Sequence, residues 1–239
     1  MLEKTRTKLD SMLKTENQLG SDGIPHELDG TTKVSFWLGS VLAALHNSIK
    51  PSLSIEIGLA YGFSALFILD SMFENNYGKH IAIDPYEVKD YHGIGLRSIH
   101  DLKFNGRFEW QEATSIDALS TMRREGVRAQ YIYIDGHHTF DAALIDFCCS
   151  DKILDTGGVI ILDDTWMPSI KTVVSFVKNN FQHYEQVDVD YGKICCLKKI
   201  GEDIRSWNHF VRFYTKYDKN YIKKKWNRYI DRMSNEIFK

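Results

Sequence analysis

No apolar run in the 239 residues approaches the ~20 needed to cross a bilayer as a helix, so no membrane span is expected. The opening stretch, Met1 to Lys8, lacks the apolar core of a signal peptide, which points to a cytoplasmic location. Cysteine is scarce, and its four copies form two adjacent pairs, Cys148-Cys149 and Cys195-Cys196. Neighbouring cysteines make neither a zinc knuckle nor a disulfide framework. Both pairs sit in apolar runs, so reduced core residues are expected. An excess of one charge is also missing. The net charge of −2 gives no global reason to expect nucleic acid or an anionic membrane as a partner. There is no internal repeat, no low-complexity segment and no linker. Residues 1–239 therefore read as a single domain: N-terminal helices over 1–50, a core over 51–200 and a tail over 201–239. What remains, 43% hydrophobic and 26% charged, is the composition of a soluble globular chain with a full core.

Residues 1–20 read as a polar helix with Leu2, Leu9, Met12 and Leu13 on one side, followed by a loop from Gly20 to Gly30. Thr31 or Thr32 can cap a second helix with the apolar stripe Val34, Trp37, Leu38, Val41, Leu42 and Leu45, which Pro51 ends. A rhythm follows. Strands at 53–57, 80–84, 108–112, 130–135 and 159–163 alternate with helices at 63–75, 96–104, 116–125, 139–154 and 169–180. Alternation of this kind predicts an α/β fold with a mostly parallel sheet covered on both faces. The strands are short and nearly all apolar, as doubly covered strands should be. The rhythm breaks at the end. Strands 184–189 and 193–199 are joined by Asp190-Tyr-Gly192 alone, a hairpin that makes the last strand antiparallel and brings the count to seven.

One stretch organises the rest: Leu53-Ser-Ile-Glu-Ile-Gly-Leu-Ala-Tyr-Gly-Phe-Ser-Ala-Leu-Phe67. A strand that breaks at glycine and re-enters as a helix aims backbone N–H groups and a positive helix end at one spot. Gly58 lets a ligand approach the backbone, and Glu56 places a costly carboxyl in an apolar run. The spacing Glu-x-Gly-x-x-x-Gly differs from the dinucleotide fingerprint, because Ala60 stands where a second glycine belongs. It resembles the first motif of class I S-adenosylmethionine-dependent methyltransferases, whose Rossmann-like sheet is likewise five βα units closed by a hairpin. The resemblance implies S-adenosylmethionine as cofactor, with Glu56, Gly58, Gly62 and Ser64 lining it.

In an open α/β sheet, ligands bind beyond the carboxyl ends of the strands. Those ends offer Glu56, Asp84, Glu112 with Thr114 and Ser115, Asp135, and Asp163-Asp164. Asp84, 26 residues after Gly58, is placed to accept ribose hydroxyls, or else to cap a helix. Thr114 and Ser115 stand where the family contacts adenine, although one of them is expected to cap the following helix. Asp135, Asp163 and Asp164 end strands that are expected to be neighbours. Three converging carboxylates repel unless protonated or bridged, and hard oxygen ligands suit Mg²⁺ or another divalent cation.

Asp-Gly-x-His at 135–138, Gly157-Gly158, and Leu-Asp-Asp at 162–164 resemble the cation-dependent O-methyltransferases, in particular the branch represented by macrocin O-methyltransferase. The resemblance covers roughly residues 50–165. It implies Asp135 at both cofactor and metal, a metal at Asp135, Asp163 and Asp164, and His138 as the base. It also implies Mg-dependent methylation of a hydroxyl on a small molecule, a sugar or other natural product. Two readings stand beside this one: a methyltransferase fold that only binds, with the tail as its working surface, and a metal-dependent hydrolase using the same carboxylates. The glycine loop counts against the hydrolase, which needs no such cradle. The polar, aromatic loop 85–95 reads as a lid or as a plain surface loop, with His92 a candidate to reach the substrate. Residues 203–238 recur at helical spacing as a basic, aromatic helix, packed on the body or on a second subunit of a homodimer, or else serving as a patch for an anionic surface.

Overall fold

The computed structural model of the chain describes residues 1–14, 17–30 and 32–213. The first helix, α1, covers Glu3–Lys14 and buries Leu9 and Met12. The expected loop that follows contains a small hairpin, β1 (Asn17–Leu19) with β2 (Pro25–Glu27), paired antiparallel. Helix α2 covers Phe36–Ile49. Its cap is Ser35, whose hydroxyl accepts from the Leu38 N–H; Thr31 lies outside the described residues, and Thr32 instead bonds Asp29.

The core then alternates as its apolar spacing requires: β3 (Leu53–Ile57), α3 (Phe63–Asn75), β4 (Lys79–Ile83), α4 (Ile94–Asp101), β5 (Phe108–Gln111), α5 (Ser115–Arg124), β6 (Ala129–Ile134) and α6 (Phe140–Ile153) follow in turn. Next come β7 (Leu154–Leu162), α7 (Pro168–Asn180), β8 (Tyr184–Val187) and β9 (Cys195–Lys199). The strand expected over 159–163 starts earlier and takes in Gly157-Gly158. Both glycines lie within β7, where the register against β6 shifts between Ala129 and Tyr131. The β8–β9 connection is longer than the three residues expected, because both strands stop short of the polar turn.

The seven strands run in the order β5-β4-β3-β6-β7-β9-β8. All neighbours are parallel except at β9, which runs antiparallel to β7 and β8. Alternation along the strands divides the apolar residues between two layers. Tyr131, Tyr133 and Ile161 face α1 to α4, whereas Ile55, Ile57, Ile132 and Ile160 face α5 to α7. Strand order reverses between β3 and β6. That crevice, at the carboxyl ends, is where an open α/β sheet admits a ligand.

The described part of the tail departs from the helix that the spacing over 203–238 suggested. Residues 203–213 are irregular, with Arg205 folded back on Asp203 and stacked 3.7 Å from the Phe181 ring. Asn180 exchanges two hydrogen bonds with the Val211 backbone, 2.7 and 2.9 Å. The aromatic positions from Tyr214 to Ile237 lie outside the described residues. No described helix is long and apolar enough to cross a membrane.

Candidate active site

The loop after β3 enters the left-handed region at Gly58 (φ +89°), Ala60 (φ +47°) and Gly62 (φ +78°). A side chain at Gly58 would overlap the Asp135 carbonyl. The space that the sequence suggested for a ligand is therefore filled by the loop after β6, and Gly58 serves close packing across the crevice. Gly62 caps α3, and a Cβ there would stand 2.9 Å from the Gly95 Cα. The start of α4 thus lies against the glycine loop.

Asp84 closes this arrangement. Its Oδ2 accepts from the N–H groups of Leu59 (2.9 Å) and Ala60 (3.1 Å), and its Oδ1 from Tyr86 (2.8 Å). Glu56 is fully buried on the α3 side of the sheet, with Ser64 beside it. Its Oε2 lies 3.3 Å from His80 Nε2, whose Nδ1 meets the Ser54 hydroxyl at 2.9 Å. Burial pushes the Glu56 carboxyl well above the usual range and His80 down to about 3. The other Glu56 oxygen, Oε1, is buried with no hydrogen-bond partner. Thr114 is exposed and caps α5, accepting from Asp117 N at 3.3 Å, while the Ser115 hydroxyl donates to Asp146. Glu112 is exposed.

A second cluster sits past β6 and β7. One ligand atom each from Asp135, His138 and Asp164 lies within 4.8 Å of the others. His138 Nε2 is 3.0 Å from Asp164 Oδ2 and 3.4 Å from Asp135 Oδ1. The two carboxylates raise His138 to about 10 and the imidazolium lowers Asp164, whereas burial raises Asp135. Asp164 sits at φ +50°, a conformation that Asp tolerates better than most residues, and the Trp166 indole donates to its Oδ1 at 2.6 Å. Asp163 is nearly buried and turned toward the sheet. It accepts from the Tyr133 hydroxyl and from Asp164 N (2.6 Å), and burial lifts it to about 7. The structure thus brings Asp135, His138 and Asp164 together and sets Asp163 one layer deeper. A shallow pocket lined by Asp135, His137, His138 and Asp163 opens beside them.

His92 is not at this edge. Its ring stacks on His26 (3.8 Å between centroids) and its carbonyl accepts from Ser21 N at 2.9 Å, so loop 85–93 is tied to the β1–β2 hairpin. Sequence reasoning missed Tyr133, Glu87 and Trp166. Tyr133 left one signal, a hydroxyl in a strand otherwise built for double burial.

Residues 55–165 match a family described as methyltransferase domain. No curated protein sequence matches the chain. Among solved structures, the chain resembles the SAH-bound methyltransferase PaMTH1 of Podospora anserina (12% identity, 84% of this chain and 89% of that one, TM-score 0.62). It also resembles an O-methyltransferase of Bacillus cereus in complex with SAH (17%, 83% and 92%, 0.59). A third is the O-methyltransferase TomG of Streptomyces achromogenes, involved in tomaymycin synthesis and in complex with SAM (15%, 84% and 91%, 0.61). The match over residues 55–165 and these likenesses give one class: that stretch is similar to a methyltransferase domain, and the chain shares the fold of the SAH- and SAM-bound methyltransferases.

Proposed function

We propose that the chain methylates a hydroxyl of a small molecule, with S-adenosylmethionine in the crevice between β3 and β6 and a divalent cation at the edge beside it. The observation that carries this reading is the meeting of Asp135, His138 and Asp164 next to a glycine loop whose buried Glu56 Oε1 has no partner. An unpaired buried oxygen costs about 1–3 kcal/mol, and the cofactor's ammonium would be a fitting donor. Gly58, Gly62, Ser64, Asp84 and Asp135 border the same crevice. The resemblance also brings the adenine toward Thr114 and Ser115, past the adjoining end of β5, although the Thr114 hydroxyl caps α5 and that of Ser115 donates to Asp146.

Asp135 and Asp164, with Asp163 behind them, offer the carboxylate oxygens that a hard divalent cation takes, and His138 stands beside them as the base. When bound, the cofactor supplies an electrophilic methyl and the cation supplies Lewis acidity for the acceptor oxygen. The chain's own residues do the rest. Tyr133 and Asp164 N fix the Asp163 carboxyl, and Trp166 fixes that of Asp164. His138 Nε2 is placed to hold the hydroxyl proton. Between two bare carboxylates it stays protonated to about pH 10, so a base role requires that another cation take up their charge. The macrocin-like branch, a sugar or natural-product acceptor, and one domain over residues 1–239 complete the reading.

Calorimetric titration with S-adenosylmethionine, with and without Mg²⁺, tests it. Binding of the cofactor, together with Mg-dependent methyl transfer that EDTA stops reversibly, is expected. Absence of cofactor binding would remove the reading.

A further inference from the structure

Glu87 stands three residues past Asp84, in the loop that packs on the glycine loop. It is 0% exposed. Its Oε1 accepts from the N–H groups of Gly95 (3.1 Å) and Leu96 (3.3 Å), at the start of α4. The same oxygen lies 3.0 Å from where a Gly95 Cβ would be, and that point is 3.0 Å from the Ala60 carbonyl. Glu87 therefore borders the crevice directly behind Ala60–Gly62. Its other oxygen, Oε2, is buried and has no partner.

Asp84 shows why that open oxygen matters. A carboxylate offers about four lone-pair sites, and Asp84 uses three of them on Leu59, Ala60 and Tyr86. A ribose presents two hydroxyls. Asp84 has one site left for them, and Glu87 Oε2 supplies a second nearby. Resting on the reading of this crevice as the S-adenosylmethionine site, we propose that Glu87 is a second cofactor-binding residue. Its Oε2 pairs with one hydroxyl of the cofactor's ribose while Asp84 accepts from the other. The carboxyl is raised to about 9, by burial first and by the Asp84 charge next, so it enters the site neutral. A neutral acid can donate to a ribose oxygen as well as accept, and it does not add a repelling charge beside Asp84.

The test pairs a protein change with a ligand change. S-adenosylhomocysteine and its 2′-deoxy and 3′-deoxy analogues are titrated against the wild-type chain and Glu87→Met, which keeps the length of the side chain. In the wild type each missing hydroxyl should weaken binding about tenfold, the worth of one hydrogen bond left unmade. Glu87→Met should bind S-adenosylhomocysteine about tenfold more weakly, and one of the two analogues should then lose nothing further. If both analogues lose the same factor in the variant as in the wild type, Glu87 only caps α4 and the proposal is overturned. Should the variant not fold, a crystal structure of the wild type with S-adenosylhomocysteine decides the matter. Glu87 Oε2 within hydrogen-bond distance of a ribose hydroxyl supports the proposal, and Oε2 turned to protein overturns it. A wild type that binds no S-adenosylhomocysteine overturns the cofactor reading itself, and this inference with it.

Discussion

Two groups of acids share one edge of the sheet, and they are held in opposite ways. Around the glycine loop, Glu56 and Glu87 are fully buried and raised by desolvation, each with one oxygen unpartnered. Past β6 and β7, Asp135 and Asp164 are only half-buried and face the His138 cation. The difference lies in the backbone. Near the glycine loop, close packing buries the acids, and the chain meets only one oxygen of each: His80 beside Glu56 Oε2, and the N–H groups of Gly95 and Leu96 on Glu87 Oε1. Beyond β7, Asp164 is turned outward by its left-handed backbone, so charge is met by charge. The first environment suits a ligand that brings hydroxyl and ammonium donors. The second suits a ligand that brings positive charge.

The sharpest way to break the comparison is to remove the charge from the second group alone. Asp164→Asn keeps the residue size, the left-handed backbone and an acceptor for Trp166. It should lower Mn²⁺ affinity, read by electron paramagnetic resonance, by more than the ~10–100-fold typical of a partner outside the ligand set. S-adenosylhomocysteine affinity should change by less than about threefold, and in EDTA the variant should melt below the wild type at pH 7, because His138 loses a charge partner. Undiminished Mn²⁺ binding would sink the metal assignment.

A smaller effect is expected from pH, with the two groups differing in where it shows. His138 is raised from 6.5 to about 10, so the stability it adds is whole below pH 6.5 and is lost as pH climbs through 10. Glu87 is raised from 4.5 to about 9. Its unfolded form ionises first, so it draws stability down between pH 4.5 and 9, by at most about 1.4 kcal/mol per pH unit. Melting curves in EDTA should therefore show His138→Gln less stable than wild type at pH 6 and equal near pH 11. Glu87→Gln should match wild type at pH 4 and exceed it at pH 9. Parallel curves for both variants would contradict the assigned charge states.

Much of this was legible in the residues. The βα rhythm, the closing hairpin and the acids at strand ends follow from apolar periodicity and from glycine placement, which act locally. Two things did not. Which oxygen of which acid stays open depends on contacts between loops distant in sequence, as when Asp84 reaches Leu59 and Ala60. How Asp163 and Asp164 divide their roles depends on one backbone angle and on a tyrosine from the neighbouring strand. The spacing of residues 203–213 suggested a helix, but Asp203 and Asn180 draw that segment into side-chain contacts instead. Periodicity records which side chains could share a face, and tertiary partners decide whether they do.

The smallest expected effect bears on the rim of the first group. Thr114 stands at the end of β5, where the resemblance assigns adenine contacts, yet its hydroxyl is spent on the first turn of α5. A cap and a cofactor contact predict different losses on Thr114→Ala. Loss of the cap costs about 1 kcal/mol of stability, a drop in melting temperature of a few degrees for a chain of this size, and leaves the affinity for S-adenosylhomocysteine unchanged. Loss of an adenine contact costs affinity by about tenfold and barely moves the melting temperature of the ligand-free chain. Because the hydroxyl already holds Asp117 N and donates to Asp117 Oδ2, the first pattern is expected. Ser115→Ala is the internal control, since its hydroxyl goes to Asp146 on α6 rather than to the helix start. A Thr114→Ala variant with weakened cofactor binding and an unchanged melting temperature would place the adenine at Thr114 and extend the cofactor crevice to the end of β5.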